Sequence, residues 1–145
     1  MAKILANDGI SDSGKVALEE KGFQVITEKV DQDNLIETIN KEDIEVLLVR
    51  SATTARKELI DACPNLKIIG RGGVGMDNID VEYAKEKGLE VYNTPAASSS
   101  SVAELVFAHL FGMVRFLYES NRQMPLEGDE NFKSLKKAFS GGSEL

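Results

Sequence analysis

Apolar residues in the first two thirds of this chain fall in short runs, each followed by a polar or glycine cluster and then by a stretch with helical spacing. Lys3–Ala6, Phe23–Thr27, Glu45–Val49, Leu66–Ile69 and Leu89–Tyr92 are too short for helices and rich in Ile, Leu and Val, so they predict strands. Glu45–Val49 is the most apolar run and predicts a strand buried on both faces. Between the runs the spacing predicts helices. One covers Ser11–Lys21, with Ser11 or Asp12 as N-cap and Gly22 as stop. A second is capped by Asp31 or Asp33 and turns Leu35, Ile36 and Ile39 inward, a third covers Arg56–Ala62 before Pro64, and a fourth covers Ile79–Glu86 before Gly88. Strands alternating with helices of about ten residues predict βαβ units and a parallel sheet covered on both faces.

Strands at this spacing predict an α/β domain with a flavodoxin-like, doubly wound, five-stranded parallel sheet of order 2-1-3-4-5. Ligands of such sheets bind beyond the carboxyl ends of the strands, where the strand order reverses. Here that point lies between the first and third strands, next to Arg50. After Pro95 the character changes. Ala96–Ser101 is a small-residue hinge, and Val102–Leu117 predicts one long helix, apolar almost all the way round. A helix apolar on every side must be covered by other structure, so it is assigned to a neighbouring domain or a dimer partner. Gln123–Asn131 reads as a loop and Phe132–Phe139 as one short basic helix. The organisation expected is a domain over 1–95 and a hinge, crossover helix and arm over 96–145.

Composition narrows the function classes. The length of 145 residues, with 42% hydrophobic and 28% charged residues, fits one ordinary soluble domain, or one small domain with an appendage. A net charge of −7 argues against nucleic acid and acidic membrane surfaces as partners. It also means that an anionic ligand must be captured by local positive groups. Cys63 is the single cysteine, so no internal disulfide forms; a reducing cytoplasm is the expected setting and Cys63 a small buried hydrophobe. The amino terminus runs straight into a strand without a charged segment and long apolar stretch, and no run reaches the roughly 18 apolar residues of a membrane span.

Four clusters follow strands: Asn7-Asp8-Gly9, Arg50-Ser51, Gly70-Arg71-Gly72-Gly73-Val74-Gly75 and Asn93-Thr94-Pro95. Together they would bring a guanidinium, a hydroxyl and a stretch of bare glycine amides to one crevice, chemistry suited to a small acid carrying a carboxylate or phosphate. The glycine cluster formally satisfies the dinucleotide pattern G-x-G-x-x-G. Yet Met76-Asp77-Asn78 separates it from the next helix, and Asn93-Thr94 stands where an acidic residue would take a ribose hydroxyl. The alternatives are a run of N–H groups for a carboxylate and a tight turn that needs glycine. Arg50 either pairs with a local carboxylate such as Asp8 or donates to a ligand anion. Asn93-Thr94-Pro95 is either a rigid exit turn or part of the crevice wall. His109 lies mid-helix among apolar residues and reads as a core histidine. No triad, carboxylate pair or metal-ligand spacing is present, so neither a catalytic group nor a metal site is expected in this chain.

In order along the chain, Val49-Arg50-Ser51-Ala52-Thr53, Ile69 through Asp80, and Asn93-Thr94-Pro95-Ala96 followed by Ser100-Ser101-Val102-Ala103-Glu104-Leu105 resemble the D-isomer-specific 2-hydroxyacid dehydrogenases. Within that family they resemble the branch that oxidises 3-phospho-D-glycerate to 3-phosphohydroxypyruvate with NAD, the first step of serine synthesis. The resemblance covers essentially the whole chain. It implies that Arg50 and Ser51 hold the substrate phosphate, and that Arg71, Gly72, Gly73 and Val74 hold its carboxylate. It further implies that Val74 touches the cofactor and that Asn93 lines the cleft. Gly72 departs from the family, which usually has alanine there, and this should loosen the loop slightly. Family members continue into the NAD-binding domain that carries the catalytic arginine, glutamate and histidine. The resemblance therefore implies that 1–95 is an incomplete substrate-binding domain, that 96–145 belongs with the NAD-binding domain, and that this chain alone is inactive. Helix 102–117 would pack at a dimer interface, giving a homo-oligomer, with Lys133, Lys136 and Lys137 near a partner's active site. The alternative is a non-catalytic anion-binding or dimerisation module built on the same domain.

Overall fold

The computed structural model describes residues 1–125 and 129–142. The chain divides into one compact unit over Met1–Ala97 and a second beginning at Ser98. In the first unit β1 (Lys3–Ala6), α1 (Asp12–Glu20), β2 (Gln24–Ile26), α2 (Gln32–Glu42) and β3 (Val46–Val49) alternate in sequence. They are followed by α3 (Lys57–Ala62), β4 (Ile68–Arg71), α4 (Val81–Glu86) and β5 (Glu90–Asn93). The sheet has five strands in the order β2-β1-β3-β4-β5, and every pairing is parallel. This is the α/β architecture expected from the strand spacing.

Alternation decides which face of the sheet is sealed. Leu47 and Val49 are buried on β3 while Val46 and Leu48 are only half-buried, so the expectation of a strand buried on both faces is corrected. Leu5, Leu47, Val49 and Ile69 from the strands join Leu35 and Ile39 of α2 and Leu59 and Ile60 of α3 in one core. At about 1.5–3 kcal/mol per fully buried aliphatic side chain, this core holds the sheet together. Strand β4 begins two residues later than the apolar run predicts and continues through Gly70-Arg71, because it is flanked by β3 and β5 and both ladders extend that far. Gly70 lies between Leu48 and Tyr92, and a Cβ there would come within 2.7 Å of a Leu48 methyl carbon.

The end of β1 is tied to the loop after β3. Asp8 accepts from the N–H of Arg50 (2.7 Å) and of Thr53 (3.0 Å) with one carboxylate oxygen, and from the Thr53 hydroxyl (2.7 Å) with the other. Behind it Asn7, 2% exposed, donates to Thr53 Oγ1 and the Val30 carbonyl and accepts from the Val30 N–H. From the other side the Asn78 amide donates to the carbonyls of Arg50 and Thr53. Residues 50–53 are thus clamped at both peptide polarities, and a parallel bridge between Ala55 and Ile79 continues the attachment.

In the second unit the single long helix expected over Val102–Leu117 is instead α5 (Ser99–Val114) and α6 (Leu117–Gln123), bent by 53°. The break is at Phe116, whose φ of 53° is left-handed and cannot continue a helix; its ring lies against Phe139 of α7 (Phe132–Ser140). Within this unit α5 has no buried residue and leaves Val102, Leu105, Val106, Phe107, Phe111 and Met113 exposed. Among the described residues no single helix is long and apolar enough to cross a membrane. Part of the loop expected over Gln123–Asn131 lies outside the described residues.

Asp8→Asn should destabilise the chain by about 1–2 kcal/mol at pH 7, since an amide cannot accept from three donors. The carboxyl is held below its ordinary value in the folded state, so its contribution is complete above about pH 4 and is lost as pH falls through the lowered value. Urea unfolding of both proteins should therefore show a constant gap at pH 5–7 that closes below pH 4. A gap of equal size at every pH would refute the role of the ionised carboxylate.

Candidate functional site

Two clusters form at the carboxyl ends of the strands. The first lies where strand order reverses, between β1 and β3. Asn7, Asp8 and Gly9 after β1, Thr27 and Lys29 after β2, and Arg50, Ser51 and Ala52 after β3 line a cavity of about 450 Å³. Among the described residues Arg50 bonds others only through its backbone, by its N–H to Asp8 and its carbonyl to Asn78. Its guanidinium has no hydrogen bond or ion pair among the described residues. The expected alternative of an Arg50–Asp8 ion pair is not formed, because the carboxylate is spent on peptide N–H groups and a hydroxyl. The Ser51 hydroxyl and the N–H groups of Ser51 and Ala52 are also without partners among the described residues.

Electrostatics in this cleft separate donors from acceptors. Burial pushes the Asp8 carboxyl up, but the Arg50 N–H, the Thr53 hydroxyl and N–H, and the nearby Lys29 charge together hold it below the ordinary range. Asp8 is therefore ionised at neutral pH with both oxygens engaged, which makes it a structural anchor and a poor proton acceptor.

The second cluster is the glycine loop after β4. Its Gly72 N–H donates to the Val49 carbonyl (2.9 Å) and its Gly73 N–H to Thr94 Oγ1 (2.9 Å), while the Thr94 N–H returns a bond to the Gly73 carbonyl. Asn93 Nδ2 donates to the Val74 carbonyl at 2.7 Å. The expected stretch of bare glycine amides is corrected by these bonds. Gly72 extends the sheet ladder and Gly73 is claimed by Thr94, so within 72–75 only Val74 and Gly75 keep unpartnered N–H groups among the described residues. Asn93-Thr94 is neither a simple exit turn nor an open wall; its side chains hold the glycine loop in place. Arg71, the last residue of β4, folds back over that loop. A Cβ on Gly73 would collide with Arg71 Nη1, and Arg71 Nε is buried without an acceptor.

The clusters meet at one contact, because a Cβ on Gly72 would lie 3.5 Å from Arg50 Cγ. That is ordinary contact distance, so alanine would fit at 72 and glycine costs only a methyl group of packing. Arg50 and Ser51 line the cavity, whereas Arg71, Gly72, Gly73, Val74 and Asn93 form the neighbouring loop cluster and do not line it. α4 begins only at Val81, after N-cap Asp80, so the glycine loop does not run into a helix N-terminus and lacks the strand–turn–helix geometry of a pyrophosphate site. Among the described residues no group of His, Cys, Asp and Glu is arranged to hold a metal ion. Cys63 is 1% exposed and burial pushes its thiol up to about 11, so it is an inert core residue. His109, expected in the core, is exposed on α5 instead, a helix with no buried residue.

Three contributors escaped the sequence reading. Lys29 follows β2 near the reversal point, and the rule that ligands gather at strand ends was the available signal. Thr53 and Asn78 are buried polar residues whose side-chain partners lie 25 or more positions away, and no local pattern reveals them.

Comparison with known proteins places the chain in a family. Residues 4–144 match the family profile described as D-isomer specific 2-hydroxyacid dehydrogenase, catalytic domain. The chain is 38% identical over 135 residues to a hydroxypyruvate reductase of Thermotoga maritima, covering 92% of this chain and 43% of that protein. It is 44% identical over 115 residues to D-3-phosphoglycerate dehydrogenase of Methanocaldococcus jannaschii, covering 79% of this chain and 22% of the relative. A solved structure of 3-phosphoglycerate dehydrogenase from Entamoeba histolytica with NAD+ bound superposes with a TM-score of 0.66 at 27% identity, over 97% of this chain and 51% of that one. The chain thus spans about half, or less, of each of these three proteins. With the family profile matched almost end to end on the same parallel sheet, the chain belongs to the D-isomer specific 2-hydroxyacid dehydrogenase family.

Proposed function

We propose that this chain forms the substrate-binding portion of a D-3-phosphoglycerate dehydrogenase and takes up 3-phospho-D-glycerate or 3-phosphohydroxypyruvate at the strand reversal. The observation that carries this reading is the Arg50 guanidinium, without a partner among the described residues, on a loop tied down by Asp8 and Asn78. A planar guanidinium presented on a fixed backbone is suited to a bidentate grip on a phosphate, with the Ser51 hydroxyl and the Ser51 and Ala52 N–H groups as further donors. In this reading the loop of Arg71, Gly72, Gly73 and Val74 takes the carboxylate through the free Val74 N–H and a swing of Arg71 off Gly73. Asn93 sets the loop through Val74, and Val74 also faces the nicotinamide.

The cofactor in this proposal is NAD, held mostly by a part of the parent protein beyond this chain. The carboxylate of the cleft, Asp8, is held ionised with both oxygens engaged and is a poor proton acceptor. We therefore propose that the chain alone binds without turnover and that it works in the cytoplasm, in serine synthesis. The exposed apolar surface of α5 fits a homo-oligomer contact.

The purified 145-residue chain should reduce no NAD with 3-phosphoglycerate; turnover near that of a longer relative would refute the division of labour. Calorimetry should show 3-phosphoglycerate binding that weakens about tenfold or more in Arg50→Ala, as expected for a lost charge-assisted pair. Equal affinity of the two proteins would remove Arg50 from the site. Light scattering at micromolar concentration should give at least twice the 15.8 kDa chain mass, and a monodisperse monomer would contradict the role of α5.

A further inference from the structure

Resting on that reading, we infer that Asn78 is a positioning residue for Arg50. It touches no ligand itself; it sets the affinity of the cleft by fixing the peptide from which the guanidinium is aimed.

Arg50 is the first residue after β3, and the ladder on its carbonyl side ends one residue earlier, where the Val49 carbonyl takes the Gly72 N–H. The orientation of the Arg50 backbone is therefore set by two side chains. Asp8 accepts from its N–H, and Asn78 Nδ2 donates to its carbonyl at 2.7 Å. The same two side chains grip Thr53, Asp8 at the N–H and Asn78 at the carbonyl, at 2.6 Å. Ser51 and Ala52 stand between these two held residues and line the cavity. On the flank of the Arg50 stem lies Gly72, which has no side chain to support it. A guanidinium with a free stem is aimed only as well as its backbone is fixed, and prior fixing lowers the ordering cost of binding.

The plain account of Asn78 is that it joins its own segment to the loop after β3. That joint is already made without the side chain. The Ala55 N–H donates to the Asn78 carbonyl at 2.9 Å, the Asp80 N–H to the Ala55 carbonyl at 3.1 Å, and Arg56 Nη2 to the Asp77 carbonyl at 2.8 Å. The Asn78 amide reaches past these bonds to residues 50 and 53. It does so at a cost, because Asn78 is only 6% exposed and its Oδ1 is buried without a hydrogen-bond partner among the described residues. What the position gains is two donors, both spent on the turn that carries Arg50.

The test uses the 145-residue chain. Amide exchange followed by NMR should show the Arg50 and Thr53 N–H groups about tenfold less protected in Asn78→Ala, with Leu47 in β3 unchanged. Calorimetry should show 3-phospho-D-glycerate binding weakened roughly fivefold by Asn78→Ala when Arg50 is present. It should weaken less than about twofold when Arg50 is already alanine, since no guanidinium is then left to aim. Equal losses in the two backgrounds would make Asn78 a general structural residue and overturn the inference. Unchanged binding, or unchanged protection at Arg50 and Thr53, would overturn it too. If Leu47 also loses protection the fold has loosened, and Asn78→Ser, which keeps one donor, decides by the same two readings. Failure of the wild type to bind 3-phospho-D-glycerate, or equal binding by Arg50→Ala, would instead refute the phosphate reading itself and Asn78 with it.

Discussion

The arrangement of this domain's strand ends depends on one carboxylate. Asp8 closes the gap between the end of β1 and the loop after β3 by accepting from two peptide N–H groups and one hydroxyl. A loop that leaves a central strand would otherwise expose its amides and sample many conformations, at about 1–2 kcal/mol per residue to order. Ionisation makes these bonds roughly twice as strong as neutral ones, and half-burial keeps water from competing fully. Asn7 and Asn78 extend the same logic. Each is a buried amide that satisfies backbone groups of a neighbouring segment, so the polar material under the site serves to fix loops.

The consequence is a sorting of hydrogen-bonding groups. Acceptors are turned inward and consumed by the clamp, while the Arg50 guanidinium, the Ser51 hydroxyl and the N–H groups of Ser51 and Ala52 have no partner among the described residues. The glycine loop follows a different course. Its first two amides are taken by Val49 and Thr94, which gives a stiff turn whose donors without partners among the described residues are at Val74 and Gly75. Glycine at 73 is explained by the Arg71 guanidinium lying over it, a close approach that a side chain would force apart. The G-x-G-x-x-G spelling therefore arises here from packing of an arginine and a strand ladder, without a helix N-terminus behind it.

Much of the fold could be read from short-range pattern. Within Met1–Ala97, apolar runs with intervening helical spacing matched the number and sequence of elements, and topology then assigned the reversal point beside Arg50. Errors came where tertiary contacts decide. β4 runs through Gly70-Arg71 because strands on both sides extend their ladders, which overrides the weak strand preference of glycine. The break at Phe116 has no proline or glycine to announce it; a left-handed phenylalanine is held there while its ring packs on Phe139. The site was legible in part. Arg50 and Ser51 follow the most apolar strand, whereas Lys29 lies after the edge strand in a loop with no local marker. The state of the glycine amides depends on Thr94, 21 residues from Gly73, and spacing carries no information about such a bond.

A negatively charged protein that binds an acid does so against its own long-range field, so the attraction must be concentrated within a few ångströms. Screening reduces the cost, since charges beyond about 8 Å count little at physiological ionic strength. Donors held rigidly in a half-enclosed cleft then act at short range, where the local dielectric is lower and each bond is stronger. The same rigidity limits what the cleft can do. Moving a proton or hydride requires a group whose protonation changes near neutral pH, set against the reacting atom. Asp8 is committed to its three donors and held ionised, and a guanidinium does not titrate. On the reading proposed above, recognition and chemistry in this family are divided between structural parts. What the first part contributes is a fixed arrangement of unpaired donors, and its precision comes from the buried amides and the single carboxylate beneath them.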